Sequence, residues 1–178
     1  MTLKTMETTT CKSHRVTQFG RADFSVLVAS SPMPDAEQNS LTDEARQEGS
    51  IDVWWGSKRH GALMLAHLLG KTETWRRCPL RVLRLVQEVS SVEPTQKGLT
   101  TMLESARIRA EAQIVIGSED DSALIREHSS DAAMAFIGFD PPDKGQGSDF
   151  IKHMTALTEN LRRVVLVSTH EPDVKREA

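Results

Sequence analysis

The sequence predicts an α/β fold in which helices cover both faces of a mostly parallel sheet of about five to six strands. Two observations indicate this fold: short apolar runs rich in Val and Ile recur along the chain, and segments with a helical spacing of apolar residues separate them. Continuous apolar runs are typical of strands that are buried on both faces, and strands that alternate with helices usually pair in parallel. We therefore predict a three-layer α/β/α domain.

Six apolar runs are the predicted strands, and four segments between them are the predicted helices. We place the strands at residues 24–30, 51–55, 80–86, 113–117, 132–138 and 164–168. We place the helices at residues 61–71, 96–110, 120–128 and 149–160. The second helix has the clearest pattern, because its apolar residues repeat at i, i+3, i+4, i+7 and i+11, at Leu99, Met102, Leu103, Ala106 and Ala110.

The remaining segments show neither the apolar runs of strands nor the apolar spacing of helices. Residues 1–22 are polar and Thr-rich, which predicts a flexible leader, and residues 31–49 carry two prolines and many carboxylates, which predicts a mobile loop. Residues 171–178 form a polar tail. The chain of 178 residues is long enough for one domain of ordinary size, which we place at residues 23–170.

Composition excludes several classes of function. The net charge of −3 gives no general attraction to phosphate, so we predict no nucleic-acid partner. Basic residues are mostly scattered, and residues 58–59, 76–77 and 162–163 are among the neighbouring pairs. The two cysteines, Cys11 and Cys78, show no metal or disulfide spacing, which fits a reducing compartment. Without a long apolar run or a signal peptide, we expect a soluble cytoplasmic chain with no membrane insertion.

Three loops at predicted strand ends are candidates for ligand binding, because parallel sheets bind ligands beyond the carboxyl ends of their strands. "GSKRHG" (56–61) lacks the Lys and Ser or Thr of a phosphate loop, and "GSEDD" (117–121) would repel phosphate. "GFDPPDKGQGSDF" (138–150) is rich in glycine, but its two prolines remove backbone donors. We favour a simple loop there, with Ser148 as a helix N-cap.

Catalytic and metal-binding patterns are absent. No His pair has the spacing of a zinc site, no GxSxG element occurs, and Cys78 has no local His. The sequence therefore predicts no catalytic residue, no metal and no cofactor, and we expect that the chain is not an enzyme.

All three tryptophans, Trp54, Trp55 and Trp75, lie within one stretch of 35 residues, 51–85. Adjacent strand residues face opposite sides of a sheet, so Trp54 and Trp55 should enter different layers. The step from the leucine-rich helix into the next strand should bury Trp75 and Cys78 beside three leucines, at positions 65, 68 and 69.

Five segments together resemble a known family: "IDVWW", "LMLAHLL", "TWRRCPLRVLRL", "MLESARIRAEAQIVI" and "LIREHSSDAAMAFIGFDPP". They are similar, in this order, to the C-terminal cytosolic domain of the cation-chloride cotransporters. The resemblance covers about residues 49–170. Two segments depart from it, since Ser57 to His60 replace acidic residues and glycines of the family, and the terminal "HEPDVKREA" replaces an apolar end.

This resemblance implies a fold like that of the universal stress proteins, a Rossmann-like α/β sandwich. It implies a regulatory domain at the cytoplasmic face of a membrane, which forms a homodimer and works with a membrane transport domain of the same or a related chain. That membrane domain would move chloride with potassium or sodium. The tryptophans and Cys78 would then be structural anchors.

The alternative function is a nucleotide-binding sensor of the universal stress type. Such a protein would hold phosphates with glycines after a strand and a following serine. The residues in the corresponding region are Gly138, Gly145, Gly147 and Ser148, although their spacing differs from that motif.

Overall fold

The computed structural model describes residues 6–11, 14–21, 24–30, 47–56, 60–118, 122–139 and 147–169. The strands in these ranges are β1 (Met6–Cys11), β2 (His14–Arg21), β3 (Phe24–Ser30), β4 (Ile51–Trp54), β5 (Leu80–Val86), β6 (Glu111–Ile116), β7 (Met134–Gly138) and β8 (Arg163–Thr169). The α-helices are α1 (His60–Leu69), α2 (Val92–Ser105), α3 (Ser122–His128) and α4 (Gly147–Thr158), and a short 3-10 helix (Val89–Ser91) precedes α2.

The strands form a single sheet in the order β1-β2-β3-β8-β7-β4-β5-β6. Strands β8, β7, β4, β5 and β6 pair in parallel, which confirms the predicted parallel sheet. Strands β1, β2 and β3 extend it on the β8 side through antiparallel pairs. The apolar Val and Ile content of the parallel strands explains their position, because these strands are covered on both faces.

Two groups of buried residues lie on opposite faces of the sheet and define the helical layers. One group joins Ala62, Leu63 and Ala66 of α1 and Leu99 and Leu103 of α2 to one face. The other joins α3, α4 and the segment after α4 to the opposite face, through Ile125, Leu157 and Leu161. The three-layer α/β/α arrangement follows from these two contacts.

Strands β1 and β2 lie in the segment that the sequence predicts to be a flexible leader, so that prediction is wrong for residues 6–11 and 14–21. Threonine and valine are β-branched and fit a strand, and pairing with β3 supplies the backbone partners that the segment lacks by itself. Apolar periodicity does not reveal these strands, because the segment is mostly polar. Residues 31–46 of the predicted loop at 31–49 and the tail at 171–178 lie outside the described residues.

Helix α2 begins and ends earlier than its apolar spacing predicts. It begins at Val92 because Pro94 is tolerated in a first turn, where backbone N–H groups have no partner within the helix. It ends at Ser105 because Arg107 has a positive φ of 56°, which reverses the chain direction. Ala106 and Ala110 therefore lie beyond the helix.

Position 49 requires glycine, because of its backbone conformation and because of the atoms that surround it. Its φ is +107°, and an added Cβ would lie 2.5 Å from the carbonyl oxygen of Asp131 and 2.8 Å from the amide nitrogen of Ala133. This close approach lets the Ala133 N–H donate to the Ser50 carbonyl oxygen at 2.8 Å. The segments that lead into β4 and β7 are joined there.

Candidate functional site

The carboxylate of Asp52 lies in β4 and is completely buried, with 0% of the residue exposed. A buried charge is unstable unless it is paired and hydrogen-bonded. Its Oδ1 accepts hydrogen bonds from Ser50 Oγ at 2.6 Å and Arg81 Nε at 2.8 Å. Its Oδ2 accepts from Arg81 Nη2 at 2.6 Å and Ser129 Oγ at 2.7 Å. These four bonds fill the acceptor sites of the carboxylate.

Arg81 is the counter-charge of Asp52 and comes from the neighbouring strand β5. Its two bonds to Asp52 form a bidentate pair, which is the geometry that a guanidinium provides best. Nη2 also donates to the backbone carbonyl of His128 at 3.1 Å. Hydrogen bonding to Asp52 raises the pKa of the Arg81 guanidinium, although partial burial acts in the opposite direction. The Arg81 guanidinium therefore stays charged at physiological pH.

Ser129 connects this pair to Trp54. The indole Nε1 of Trp54 donates to Ser129 Oγ at 3.0 Å, while the same hydroxyl donates to Asp52. The ring of His128 stands edge-on to the Trp54 ring, with centroids 6.4 Å apart and an angle of 71°. We call Asp52, Ser50, Arg81, Ser129 and Trp54 the Asp52 network. It joins β4, β5 and the segment that follows α3.

The Asp52 network lies near the amino ends of the parallel strands. Asp52 and Arg81 are the second residues of β4 and β5, and Ser129 precedes β7. Ligands of open parallel sheets bind at the opposite, carboxyl ends. Because every acceptor site of Asp52 is already occupied, the network is suited to fixing α3 on the sheet rather than to binding a ligand. Among the described residues, no group of three or more His, Cys, Asp or Glu side chains is placed to hold a metal ion.

The carboxyl ends of β4 and β5 border a groove of about 310 Å³. Its lining residues are Trp55, Arg84, Thr95, Gly98, Leu99 and Met102. Residues 57–59, 119–121 and 140–146 lie outside the described residues, and they make up much of the three segments that the sequence singles out as candidates for ligand binding. Three of the four residues from Ser57 to His60, which replace acidic residues and glycines of the family, are therefore not described.

The residues of the alternative nucleotide site are only partly placed. Gly138 is the last residue of β7, Gly147 is the first residue of α4, and Gly145 lies outside the described part of the chain. Ser148 is exposed and is the second residue of α4, so its predicted role as N-cap is wrong. The structure thus brings no phosphate cradle together from the residues that it describes.

The tryptophans lie on different faces of the sheet. Trp54 is buried in the group of residues that contacts α3 and α4, whereas Trp55 is half-buried against the group that contacts α1 and α2. Trp75 is half-buried at the border of the latter group, and the guanidinium carbon of Arg163 lies 5.8 Å from the centre of its ring. This distance allows a cation–π contact.

Cys78 is buried, and its Sγ donates to the backbone carbonyl of Gln47 at 3.3 Å. Burial raises the pKa of the Cys78 thiol. Leu65 and Leu69 pack at the same group of residues, as the sequence predicts, but Leu68 is 59% exposed. Its predicted burial is wrong because it lies on the outer face of α1, one turn after the exposed Met64.

Sequence analysis missed Asp52, Arg81 and Ser129, the three residues on which the Asp52 network depends. One signal was available: Asp52 is a lone carboxylate within the apolar run "IDVWW", and a charged residue in a buried strand needs a partner. Nothing in the local sequence identifies Arg81 or Ser129 as that partner.

Comparison with protein families identifies a match to the model described as solute carrier family 12 over residues 4–123. The match covers about two-thirds of the chain and includes β1 to β6, with Asp52 and Arg81. It begins before the residues that carry the resemblance seen in the sequence and ends within α3. In the described part of the chain, every helix is too short or too polar to cross a lipid bilayer.

Proposed function

Because the chain belongs to solute carrier family 12, the cation-chloride cotransporters, we propose that it forms a regulatory and oligomerisation domain of such a transporter. The observation that carries the proposal is the family match over residues 4–123. In this proposal the domain lies at the cytoplasmic face of the membrane, and a separate membrane domain moves chloride with potassium or sodium.

The Asp52 network supports a role in protein contacts rather than in chemistry. A catalytic carboxylate needs a free oxygen to accept or deliver a proton or to attack a substrate, and both oxygens of Asp52 already accept two hydrogen bonds each. A network of this kind stabilises one arrangement of helices and strands. A domain with fixed surfaces is what a regulatory partner of a transporter requires.

Self-association is the second part of the proposal. Among the described residues, the edge strands β1 and β6 each pair with one strand, and an unpaired strand edge is a template for pairing with another chain. A homodimer with two-fold symmetry closes such an edge, because the same surface serves both copies.

Co-expression tests the proposal directly. A cotransporter of this family that lacks its own cytosolic domain is expressed with and without the 178-residue chain, and chloride-dependent rubidium uptake is measured as a substitute for potassium transport. We expect the chain to co-purify with the transporter and to change its uptake. The Ser130→Ala variant should behave like the wild type, because Ser130 is exposed and lies outside the Asp52 network.

One combination of results would contradict the proposal. If the chain neither binds the transporter nor changes its uptake, and calorimetric titration shows micromolar binding of ATP with Mg²⁺, the nucleotide-sensor alternative replaces it. A substitution of Gly145 or Gly147 should then abolish that binding.

A further inference from the structure

Arg84 of β5 is a half-buried cation without a counter-charge among the residues that the structure describes. Val82 and Arg84 direct their side chains to the same face of the sheet, and Val82 belongs to the buried group that α2 covers. A guanidinium on a covered face costs free energy unless polar partners replace its water. Arg81 has such partners, but no hydrogen bond or ion pair joins the Arg84 guanidinium to a described residue. Arg84 is therefore available to an anion from outside the chain.

Arg84 borders the groove of about 310 Å³ at the carboxyl ends of β4 and β5, the end of a parallel sheet where ligands bind. Trp55, Leu99 and Met102 give this groove apolar walls. A second cavity of about 450 Å³ adjoins the groove, since Arg84 and Thr95 line both. Apolar walls, a few polar groups and a volume of roughly 300–1,000 Å³ are typical of small-molecule sites.

Two residues of α2 leave the groove open and supply a donor. Gly98 lies in the helix interior, where glycine is disfavoured, and its surroundings do not require it. Apart from adjacent residues and the helix's own backbone, no described atom lies within 4 Å of an added Cβ, so a larger side chain would narrow the groove. One turn earlier, the Thr95 hydroxyl has no hydrogen-bond partner among the described residues, whereas Ser105 and Thr155 donate to carbonyls of the preceding turn.

Charge and shape limit the class of ligand. Among the described residues that line the groove and its adjoining cavity, Arg84 is the one basic residue and Glu88 is the one acidic residue. One cation near one carboxylate suits a ligand with a single negative charge and disfavours a polyphosphate, which Glu88 would repel. The indole of Trp55 offers a planar apolar surface on which a ring can stack.

We propose that this groove binds a small aromatic monocarboxylate. Its carboxylate accepts hydrogen bonds from the Arg84 guanidinium and the Thr95 hydroxyl, and its ring packs on Trp55 and Met102 in the gap that Gly98 leaves. A guanidinium matches the two oxygens of a carboxylate with two parallel bonds, which gives both strength and orientation. The inference goes beyond the proposed function and does not depend on it, because it rests on side chains of this groove alone.

Titration of the full 178-residue chain with 2-naphthoate tests the proposal, and 2-naphthamide is the uncharged comparison of nearly the same shape. NMR of the methionine methyl groups locates the binding, because Met102 lines the groove while Met154 packs on the opposite face of the sheet. We expect the Met102 methyl signal to shift to saturation and the Met154 signal to stay in place. Naphthoate should bind at least about tenfold more tightly than naphthamide, since a charged pair of hydrogen bonds is stronger than a neutral one.

Variants separate the two parts of the site. Arg84→Gln should weaken naphthoate at least about tenfold and naphthamide less than about twofold, because only the carboxylate uses the charge. Gly98→Leu should weaken both ligands at least about tenfold, since leucine suits a helix but fills the gap. Lys97→Leu is its matched control and should leave both affinities unchanged, because Lys97 is exposed on the same helix and is not among the residues that line the groove.

Several results would overturn the inference. These are the absence of a Met102 shift at millimolar naphthoate, equal affinities for the two ligands, and a naphthoate affinity that Arg84→Gln does not change. Shifts of the exposed Met64 and of Met154 together with Met102 would show unspecific adsorption and would also overturn it. The comparison of the two ligands needs only the wild type, so it decides the question even if a variant does not fold. Naphthoate binding by a chain that does not change transporter uptake would support this inference and contradict the regulatory role.

Discussion

The hydroxyl of Ser129 lies 2.7 Å from Oδ2 of Asp52, a contact between residues 77 positions apart in the sequence. Ser129 is 1% exposed and uses its hydroxyl twice, as donor to Asp52 and as acceptor for the indole of Trp54. A single buried hydroxyl therefore links the charged pair to an aromatic side chain. Its removal should leave the indole N–H of Trp54 unsatisfied and Oδ2 of Asp52 with one hydrogen bond, from Arg81, instead of two.

Ser129→Ala should lower the free energy of unfolding by about 2–3 kcal/mol, because one bond to a carboxylate and one bond to Trp54 disappear together. Urea denaturation measures the change. The neighbouring Ser130→Ala is the matched control and should cost less than about 0.5 kcal/mol, since Ser130 is exposed and donates only to the Glu127 carbonyl. Equal effects of the two substitutions would contradict the role of the Asp52 network.

The parallel strands could be predicted from the sequence because their burial on both faces leaves continuous apolar runs. The run at residues 80–86, for example, coincides with β5. The Asp52 network could not be predicted in the same way, because Arg81 and Ser129 reach Asp52 only after the strands and α3 are assembled. The position of Asp52 in a buried strand indicates that a partner exists, but local pattern does not identify a partner that is distant in sequence.

Trp75→Ala should lower the free energy of unfolding by about 2 kcal/mol, measured from urea denaturation midpoints. This is less than the 3–5 kcal/mol that is typical of a fully buried large-to-small change, because Trp75 is half-buried. Trp54→Ala is the comparison and should reach that larger range, since Trp54 is 6% exposed and also loses its bond to Ser129. A larger effect at Trp75 than at Trp54 would reverse the relative importance of the two side chains.

Gly49→Ala should destabilise the fold by about 2–3 kcal/mol or more, because the positive φ strains any other residue and the new Cβ would meet backbone atoms of Asp131 and Ala133. Gly98→Ala should change the stability of the fold in the opposite direction. Gly98 lies within α2, and apart from the helix's own backbone no described atom lies within 4 Å of an added Cβ, so alanine should stabilise the helix by about 0.5–1 kcal/mol. Thermal unfolding of the two variants beside the wild type measures both effects.

The stability that Cys78 contributes should decline at alkaline pH. The thiol has an ordinary pKa of 9.0, and burial raises this pKa in the folded chain. Above pH 9.0 the unfolded chain therefore releases its thiol proton before the folded chain does, so the folded state binds more protons there and rising pH favours unfolding.

The stabilisation from Cys78 should thus be fully present below pH 9.0 and be lost as the pH rises through the higher pKa of the folded state. Urea denaturation of the wild type and of Cys78→Ala at a series of pH values isolates this effect, because the other titrating groups are common to both chains. We expect the difference in unfolding free energy between the two chains to change little below pH 9.0 and to shift against the wild type above it. Alkylation of Cys78 should also be slow in the folded chain and fast in urea, since the thiolate is the reactive form. If the two stability curves ran parallel through the alkaline range, the thiol would titrate alike in both states and burial would not raise its pKa.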